Sequence, residues 1–388
     1  MSVLDHLYNI ADVRAAARSR MPRGIFEFID RGTEDESALA NNRAAFERVR
    51  LQSRVAVNVA SRSTATTLFG EKISMPLGIA PTGAAGLIWY KGELELARAA
   101  ADCGVPFTLA TRSMTSIEDI ARHAGGNLWF QLYIWTQRQL SYDLVDRAQR
   151  AGFKTLVTTI DIPAAPNREY NKRNGFSLPW KMSVRSVSDM LCHPRWLVGT
   201  MCRYLATTGM PRYENQSGDY REKITQARSA QALRGDNVTW NDITLLRAQW
   251  KGNLVVKGIL NPEDAERAVQ AGADGVIVSN HGGRSFDSAV ATLDVLPDIV
   301  NAVGHKAVVL VDSGVRRGSD IIKALALGAS AVLSGRPALY GMGAAGRPGA
   351  RKALEILQTE MSTSMAMLGR PQVADIDGSV IFRGPTIR

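Results

Sequence analysis

The chain has 388 residues, of which 45% are hydrophobic and 22% charged, and this composition is typical of a soluble globular protein. No apolar stretch reaches the ~18 residues that a membrane-spanning helix needs, and the net charge of +10 comes without a helix-turn-helix, zinc-finger or RNA-recognition signature, so we expect no nucleic-acid partner. The length allows one or two domains, and we predict a single domain over residues 1–388.

The first residues and the cysteines indicate the compartment. A basic start followed by an apolar core is absent, so we do not expect a secretion signal and we place the protein in the cytoplasm. The cysteines, Cys103, Cys192 and Cys202, are odd in number and lack the spacing of a metal site. We therefore expect buried thiols, with neither a disulfide framework nor a bound metal.

Helical and strand patterns alternate along most of the chain. Two helical patterns, Val13–Arg20 and Gly24–Arg31, predict that residues 1–70 form a helical segment over one end of the fold. The strands predicted from short apolar runs are Leu77–Ala80, Val105–Ala110, Leu128–Leu132, Thr155–Ile160, Leu254–Lys257, Gly275–Ser279, Ala307–Val311 and Ala331–Ser334. The helices predicted between them include Lys91–Cys103, Ile117–His123, Leu140–Ala151, Pro262–Ala271 and Ser319–Leu327. Eight such runs in series favour an α/β fold, the (β/α)8 TIM barrel, over an open doubly wound sheet.

Residues 178–237 separate the fourth and fifth predicted strands and are far longer than an ordinary βα connection. More than half of the excess charge lies in the overlapping stretch Lys172–Arg212, which holds seven Lys or Arg against one acidic residue. The basic residues alternate with Trp, Leu, Val and Met, which favours contact with an anionic membrane surface. A lid or a subunit contact that buries the aromatic residues against protein fits the pattern equally well.

Polar residues follow the predicted strands at the end where a TIM barrel places its catalytic groups. In Ser279–Arg284, with the sequence Ser-Asn-His-Gly-Gly-Arg, an imidazole and a guanidinium stand three residues apart. His281 can accept a proton near neutral pH, and Arg284 offers a planar pair of donors to a carboxylate. Gly282 and Gly283 allow a sharp turn between them. The motif predicts a general base beside a carboxylate-binding site.

The segments after the last two predicted strands indicate a phosphate site. Gly314 and Gly335 allow close backbone approach, and Arg336 with Arg316 or Arg317 can neutralise a dianion. Residues 341–346 also match the G-x-G-x-x-G of dinucleotide-binding proteins. No strand directly precedes them and no acidic residue ends a second strand ~20 residues later, so we interpret them as a helix-to-loop junction of small residues.

Taken together, the motifs resemble the FMN-dependent L-2-hydroxy acid dehydrogenase and oxidase family, which includes glycolate oxidase, lactate oxidase and (S)-mandelate dehydrogenase. Besides Ser279–Arg284, the resemblance rests on Pro81-Thr82-Gly83, Gln131-Leu132-Tyr133, Asp161, Arg168, Leu254–Gly258, Asp312–Gly318 and Gly335-Arg336-Pro337. The pattern is closest to mandelate dehydrogenase, because of Gly83, the long insertion and His193–Trp196 within it.

The resemblance implies an FMN enzyme that oxidises an (S)-2-hydroxy acid to the 2-oxo acid. It implies that His281 is the base, that Asp161 supports the imidazolium form, that Tyr133 hydrogen-bonds the substrate, and that Arg168 and Arg284 clamp its carboxylate. The residues that it implies for FMN are Pro81, Thr82, Gly83, Thr111, Gln131, Thr159, Lys257, Ser279, Asp312, Gly314, Arg316, Gly335 and Arg336, the last three and Gly314 at the phosphate.

Two residues of the substrate pocket depart from the family pattern. Phe28 stands where members usually have a carboxylate-binding Tyr, and the missing hydroxyl removes a charge-assisted hydrogen bond of roughly 1.5–3 kcal/mol. Arg112 stands where relatives have Trp or a small residue, and it points either to solvent or to a polar group at the distal end of the substrate. We therefore expect a substrate larger than glycolate or lactate, with a polar tail.

The resemblance leaves the electron acceptor and the exact chemistry open. Transfer to a quinone would account for the basic insertion, so we expect peripheral association with the cytoplasmic face of the inner membrane. The alternatives are a hydroxy acid oxidase that uses oxygen, a related enzyme that oxidises an atypical amine or peptide-derived substrate, and a flavin-binding module without turnover. Family members are often tetramers, which implies a homo-oligomer here.

Overall fold

The computed structural model describes residues 3–181, 183–216, 221–226 and 235–383. Strands of this part of the chain form a two-stranded hairpin and a closed barrel of parallel strands in the order β10-β3-β4-β5-β6-β7-β8-β9. The bounds are β1 Thr66–Leu68, β2 Glu71–Ile73, β3 Leu77–Ile79, β4 Phe107–Ala110, β5 Leu128–Tyr133, β6 Thr155–Thr159, β7 Asn253–Ile259, β8 Gly275–Val278, β9 Val308–Val311 and β10 Ala331–Ser334. The predicted (β/α)8 barrel is confirmed, because all the barrel strands coincide with predicted ones.

Helices cover the outside of the barrel and both of its ends. Their bounds are α1 Ile10–Arg20, α2 Arg23–Asp30, α3 Ser37–Arg48, α4 Gly92–Asp102, α5 Ile117–His123, α6 Arg138–Arg150, α7 Glu169–Asn174, α8 Val184–Leu191, α9 Pro194–Trp196, α10 Arg203–Thr207, α11 Trp240–Gln249, α12 Pro262–Gln270, α13 Thr292–Val303, α14 Gly318–Ala326 and α15 Arg336–Met367. A π-helical stretch, Leu197–Cys202, joins α9 to α10. Side-chain caps begin several helices, for example Ser116 at α5 and Asn261 at α12.

Alternate residues of the strands fill the barrel interior. Trp129, Val157, Ile277 and Leu333 are buried in one apolar cluster, which is separate from the larger core between strands and helices. Since both faces of each strand are buried, the strands are almost continuously apolar, and this is why the sequence pattern located them.

The N-terminal segment closes both ends of the barrel instead of the single end predicted for it. At the amino end, the β1–β2 hairpin packs onto the interior cluster, and the Phe69 ring lies 5.7 Å from the Trp129 ring. At the carboxyl end, the chain after α2 lies across the barrel mouth, where the Thr33 amide donates to the Gly283 carbonyl at 3.0 Å. The carboxyl end is therefore partly covered by residues from the start of the chain.

The insertion buries its aromatic residues against the protein, as the second of the two alternatives left open by the sequence pattern requires. Trp180, Trp196 and Tyr204 are all buried, and the Trp196 indole donates to the Leu87 carbonyl at 2.8 Å. An indole or phenol with its polar atom satisfied by protein is stable inside the fold. The exposed apolar side chains of the insertion are aliphatic instead.

The cysteines also differ from expectation. Cys192 and Cys202 are exposed, and only Cys103 is partly buried. Both exposed thiols lie on the helical insertion, whose inward face is occupied by larger aromatic side chains. Burial raises the pKa of the Cys103 thiol to about 11.

The glycine-rich segment 341–346 ends the first of two helical stretches that make up α15, so it is a junction of small residues as predicted, although the chain kinks there and does not enter a loop. The helix has non-helical backbone angles at Ala345 and Gly346, where it kinks and continues. Gly346 has a φ of +64°, and a Cβ there would lie 2.7 Å from the Trp89 ring. Glycine is therefore required for a close helix contact and not for a cofactor.

Candidate active site

A cavity of about 820 Å³ opens at the carboxyl end of the barrel, large enough for a cofactor together with a small substrate. Most of the predicted site residues line it: Phe28, Pro81, Thr82, Gly83, Arg112, Gln131, Tyr133, Thr159, Arg168, Lys257, His281, Arg284, Asp312, Gly314, Arg316, Gly335 and Arg336. Three predicted residues lie directly behind the wall instead. Asp161 contacts His281, Ser279 contacts Lys257, and Thr111 donates to the Gln131 carbonyl at 2.6 Å.

His281 lies in a left-handed turn at the end of β8. His281, Gly282 and Gly283 have φ values of +58°, +70° and +69°, and such a conformation is unfavourable for a residue with a Cβ. The Ser279 hydroxyl accepts from the His281 amide at 3.1 Å, and the Asn280 side chain accepts from the Gly283 amide at 3.1 Å. These bonds hold the imidazole at the cavity wall in spite of the backbone strain.

The imidazole is paired with the carboxylate of Asp161. His281 Nδ1 lies 2.9 Å from Asp161 Oδ1, which leaves Nε2 as the ring nitrogen available to a substrate. Burial lowers the pKa of His281 below its ordinary value, and the Asp161 charge partly offsets this effect. Burial opposes ionisation of Asp161, but His281 and Lys257 together lower its pKa. The pair can therefore present a neutral base that gains a stabilised positive charge when it accepts a proton.

Lys257, on β7, is a buried cation in the barrel interior. Its ammonium lies 3.1 Å from Asp312 Oδ2, 3.9 Å from Asp161 Oδ2 and 2.5 Å from the Ser279 hydroxyl. Burial lowers the pKa of Lys257, but Asp312 and Asp161 more than compensate and raise it. Lys257 therefore stays charged at the cavity wall, where it can stabilise negative charge on a bound group.

Two arginines approach each other at the same wall. Arg168 Nη2 donates to the Arg284 carbonyl at 3.5 Å, and Arg284 Nη1 donates to the Arg31 carbonyl at 2.8 Å. Burial and the nearby Arg284 charge lower the pKa of Arg168 to about 10. Its buried Nε has no hydrogen-bond partner among the described residues. The arrangement fits a bound carboxylate.

Phe28, the first departure from the family pattern, forms the wall beside this pair. The Arg284 guanidinium carbon lies 5.4 Å from the centre of the Phe28 ring, and Phe176, just after α7, packs on the ring. The aromatic face therefore supports the guanidinium through a cation–π contact, whereas no hydroxyl is present to bind an anion.

The loops after β9 and β10 form an end of the cavity that is suited to an anion. Gly314 has a φ of +106°, and a Cβ there would lie 2.9 Å from the Asn42 carbonyl oxygen, so the loop requires glycine. Burial lowers the pKa of Arg316 and lowers that of Arg336 to about 10. Arg336 is held by the carbonyls of Ile29, Gly282 and Arg31. A dianion would relieve the cost of burying two cations.

Residues outside the predicted set complete the site. Asn280 forms two side-chain hydrogen bonds with Asn42, at 2.9 and 2.8 Å, which tie the His281 turn to α3. The Ser313 hydroxyl accepts from the Gly282 amide and donates to Asp312. Ser334 lines the cavity at the end of β10. Asn280 lies within the Ser279–Arg284 motif and Ser313 within the Asp312–Gly318 motif. Their position beside the charged residues of these motifs is the sequence feature that could have identified them.

A single cavity therefore combines a proton acceptor, a carboxylate-binding pair and an anion-binding loop at the carboxyl ends of the strands. This arrangement defines a class of (β/α)8 barrel enzyme in which a phosphorylated ligand and an anionic substrate share one cavity.

Comparisons with known proteins identify the family. The model of the FMN-dependent dehydrogenase family matches residues 17–383. The chain is 40% identical to (S)-mandelate dehydrogenase of Pseudomonas putida over 372 residues, and this alignment covers 96% of this chain and 93% of that protein. An L-lactate dehydrogenase of Pectobacterium atrosepticum is 38% identical over 369 residues, 94% of each chain. The crystal structure of the monotopic membrane protein (S)-mandelate dehydrogenase matches with a TM-score of 0.92 and 39% identity, over 97% of this chain and 99% of that one.

The chain belongs to the FMN-dependent dehydrogenase family. It is an oxidoreductase whose cofactor is FMN, as the resemblance implied.

The residues of the cavity fit FMN. Gln131 Nε2, Thr159 Oγ1 and Ser334 Oγ are buried at the cavity wall without a hydrogen-bond partner among the described residues. Buried polar atoms are rarely left unpaired in folded proteins. A polar ring against Gln131 and Thr159, with a phosphate near Ser334, Arg316 and Arg336, would satisfy them.

Proposed function

We propose that this protein oxidises an (S)-2-hydroxy acid to the 2-oxo acid, with His281 as the general base. The observation that carries the proposal is the His281–Asp161 pair, 2.9 Å apart, in the cavity that Arg168 and Arg284 also line. A base and two carboxylate-binding cations in one cavity suit a substrate whose hydroxyl and carboxylate stand on neighbouring carbons.

Each residue has a separate task in this proposal. Arg168 and Arg284 bind the carboxylate and fix the orientation of the α-carbon. His281 Nε2 accepts a proton from the substrate, and Asp161 stabilises the imidazolium through Nδ1. When bound, FMN supplies the two-electron acceptor that the oxidation requires. Tyr133, which lines the cavity, hydrogen-bonds the substrate in this proposal.

Anaerobic reduction of the flavin tests the proposal. The yellow holoprotein is mixed with a panel of 2-hydroxy acids, glycolate and lactate included, and with amines, and the flavin absorbance is followed. We expect the (S)-enantiomer of a 2-hydroxy acid larger than lactate to bleach the flavin, and His281→Gln to stay yellow but unbleached. His305→Gln, at an exposed site, is the matched control. Bleaching by an amine alone, or equal bleaching of His281→Gln, would refute the assignment.

We infer further that the insertion docks on an anionic membrane surface. Val184, Val187 and Leu191 share one face of α8 and are exposed, as are Val198 and Leu205 further along the insertion. We call these five side chains the aliphatic patch. Exposed basic residues of the same segment include Lys181, Arg185, Arg195 and Arg203. No helix in the described residues is long and apolar enough to cross a bilayer, and the mandelate dehydrogenase with the similar crystal structure is a monotopic membrane protein.

Substitutions on the surface test membrane docking better than a deletion, because removal of the insertion would also remove the buried Trp196. Val184→Ser/Leu191→Ser is compared with Val55→Ser/Leu245→Ser, whose side chains are exposed elsewhere. Burying one such side chain contributes about 1.5–3 kcal/mol, so the first double variant should bind anionic vesicles at least about tenfold more weakly. Vesicle binding that is equally strong in both variants, or insensitive to salt, would contradict the inference.

A membrane location suits a quinone as electron acceptor, and we propose one on the cytoplasmic face of the inner membrane. Turnover with a short-chain quinone, faster than turnover with oxygen, is the expected result. The family resemblance also leads us to propose a homo-oligomer, a tetramer, whose mass analytical ultracentrifugation measures directly.

A further inference from the structure

Arg112, the second departure from the family pattern, has a fixed backbone at the cavity wall. The Ala84 amide donates to the Arg112 carbonyl at 3.0 Å, and the Ser113 amide donates to the Ala110 carbonyl at 3.1 Å. A Cβ on Gly83 would lie 3.5 Å from Arg112 Cβ. The turn after β4 thus holds the base of the side chain against the loop that carries Gly83.

The guanidinium of Arg112 forms no hydrogen bond or ion pair with any residue in the described ranges of the chain. The side chain is exposed but lines the same cavity as His281. Burial raises the pKa of Tyr213 and of Tyr133, and the Arg112 charge opposes this rise in both. Burial lowers the pKa of Arg168, and the Arg112 charge adds to that effect. Arg112 is therefore a cation directed at the substrate end of the cavity.

The other cations of the cavity have partners, present or expected. Lys257 is paired with Asp312. In the proposed reaction, Arg168 and Arg284 bind the substrate carboxylate, and Arg316 and Arg336 bind the phosphate of FMN. Asp236 also lines the cavity, but no ion pair joins it to Arg112 in the described part of the chain. If the substrate has only the carboxylate that Arg168 and Arg284 bind, no anion remains to pair with Arg112.

Apolar side chains line the same cavity as Arg112. They include Ile162, Pro163, Leu178 and Val238. An apolar lining together with this guanidinium suits a hydrocarbon spacer that carries an acidic group.

We propose that Arg112 is a specificity residue that binds a second acidic group, so that the preferred substrates are 2-hydroxy acids with a distal carboxylate. The proposal rests on the proposed function, since it assigns the substrate class of that same site. The first carboxylate lies at Arg168 and Arg284, the spacer lies along the apolar wall, and the distal carboxylate reaches Arg112.

Paired substrates test the inference. Aliphatic 2-hydroxy diacids of increasing length and 4-carboxymandelate are each compared with the methyl ester of the distal carboxyl group, which has nearly the same shape without the charge. A charge-assisted hydrogen bond corresponds to a factor of about 10–100 in kcat/KM. We expect at least one diacid to exceed its ester by about tenfold in kcat/KM, and Arg112→Gln to abolish the difference.

Two further variants and one binding measurement separate the role of Arg112 from a structural one. Arg112→Lys should restore part of the preference, and Arg122→Gln, at an exposed arginine of α5, should not alter it. The unreactive 4-carboxyphenylacetate should perturb the flavin spectrum at lower concentration than phenylacetate, and Arg112→Gln should remove this difference.

The outcomes distinguish this inference from the proposed function. If no 2-hydroxy acid reduces the wild-type flavin, the proposed function fails. If wild type oxidises 2-hydroxy acids but prefers the esters, or if Arg112→Gln retains the preference for the diacid, the function stands and the role of Arg112 is overturned.

Discussion

His281 experiences opposing influences, and their balance sets the pH range in which it can act as a base. Burial lowers its pKa most strongly, Asp161 raises it, and Lys257 lowers it. The imidazole is therefore neutral at neutral pH, which a proton acceptor requires. Asp161 then favours the charged form as soon as the proton arrives, so the carboxylate acts on the product of the transfer more than on the resting base.

The pH profile of kcat/KM should reveal this balance. As the pH falls through the pKa of His281, the imidazole becomes protonated and cannot accept a proton, so kcat/KM should decrease on the acidic side. Because the pKa is lowered, the midpoint should lie below the ordinary histidine value of 6.5. Initial rates at low substrate concentration between about pH 4.5 and 8 measure it. A midpoint above the ordinary value would contradict the assignment.

Removal of the Asp161 charge should act on the same profile. Asp161→Asn deletes the interaction that raises the pKa of His281, so the midpoint should move to still lower pH. The rate on the plateau should also fall, by about 100-fold or more, because the imidazolium loses its carboxylate. Asp298→Asn, at an exposed carboxylate, should leave both quantities unchanged. A plateau that is preserved in Asp161→Asn would show that the pair is not used.

Phe28→Tyr should improve binding of the substrate carboxylate. Phe28 lines the cavity with its ring against the Arg284 guanidinium. A hydroxyl at the edge of this ring would add a hydrogen bond to an anion, worth about 1.5–3 kcal/mol, so KM should fall by about tenfold or more. Phe382→Tyr, at an exposed position, controls for a general effect. An unchanged KM would show that the carboxylate does not lie near this ring.

At the scale of the elements, the sequence pattern located the strands that are buried on both faces. It missed elements whose structure depends on contacts with residues distant in sequence. The barrel strands are short apolar runs, which the pattern identifies directly. The β1–β2 hairpin was not predicted, because Thr66–Leu68 is only three residues long and alternates in burial. The full length of α15 was not predicted either, since Gly346 and Pro348 interrupt an otherwise helical pattern.

The same distinction holds for the site. Residues next to strand ends were found, because the barrel topology alone brings those ends together. The left-handed backbone of His281 was not predicted, since Asn42 and Asn280, separated by 238 positions, help to hold the turn. The inward orientation of the insertion's tryptophans was equally hidden, because a polarity pattern does not distinguish a buried aromatic face from a membrane-facing one.

The kink of α15 gives a stability prediction at this scale. Gly346→Ala combines a positive φ with a Cβ that would lie 2.7 Å from the Trp89 ring. The backbone conformation costs about 1–2 kcal/mol and the overpacking about 1–3 kcal/mol more, so the free energy of unfolding should fall by about 2–5 kcal/mol. Gly70→Ala has a φ of +78° but meets no atom within 4 Å, so it should lose only the first part. Equal losses in denaturant titrations would contradict the steric argument.

Across the whole molecule, the insertion connects two surfaces with different tasks. Its outer helical face carries the aliphatic patch and exposed basic residues, whereas Leu178 and Tyr213 line the cavity. Trp196 and Tyr204 anchor the segment to the barrel through Leu87 and Lys91. The insertion therefore contributes both to the cavity wall and to the proposed membrane contact, while the barrel supplies the proposed reacting groups.

Removal of FMN should destabilise the whole protein, because the ligand binds only the folded chain. Substitution of Arg316 can separate the stabilisation that comes from the FMN phosphate from the stabilisation that comes from the flavin ring. Burial lowers the pKa of this residue, and its guanidinium donates only to the Val315 carbonyl within the described part of the chain. In apoprotein, Arg316→Gln should therefore change the free energy of unfolding by no more than about 1 kcal/mol, because the lost hydrogen bond and the relieved burial cost oppose each other.

With FMN bound, the same substitution should remove about 1.5–3 kcal/mol of the stabilisation, since the phosphate loses a charged donor. Riboflavin, which lacks the phosphate, should stabilise wild type and Arg316→Gln equally. Thermal unfolding of both proteins alone, with FMN and with riboflavin gives all the required differences. If Arg316→Gln weakens the effect of riboflavin as much as that of FMN, then Arg316 acts on the ring or on the fold, and the phosphate must lie elsewhere in the cavity.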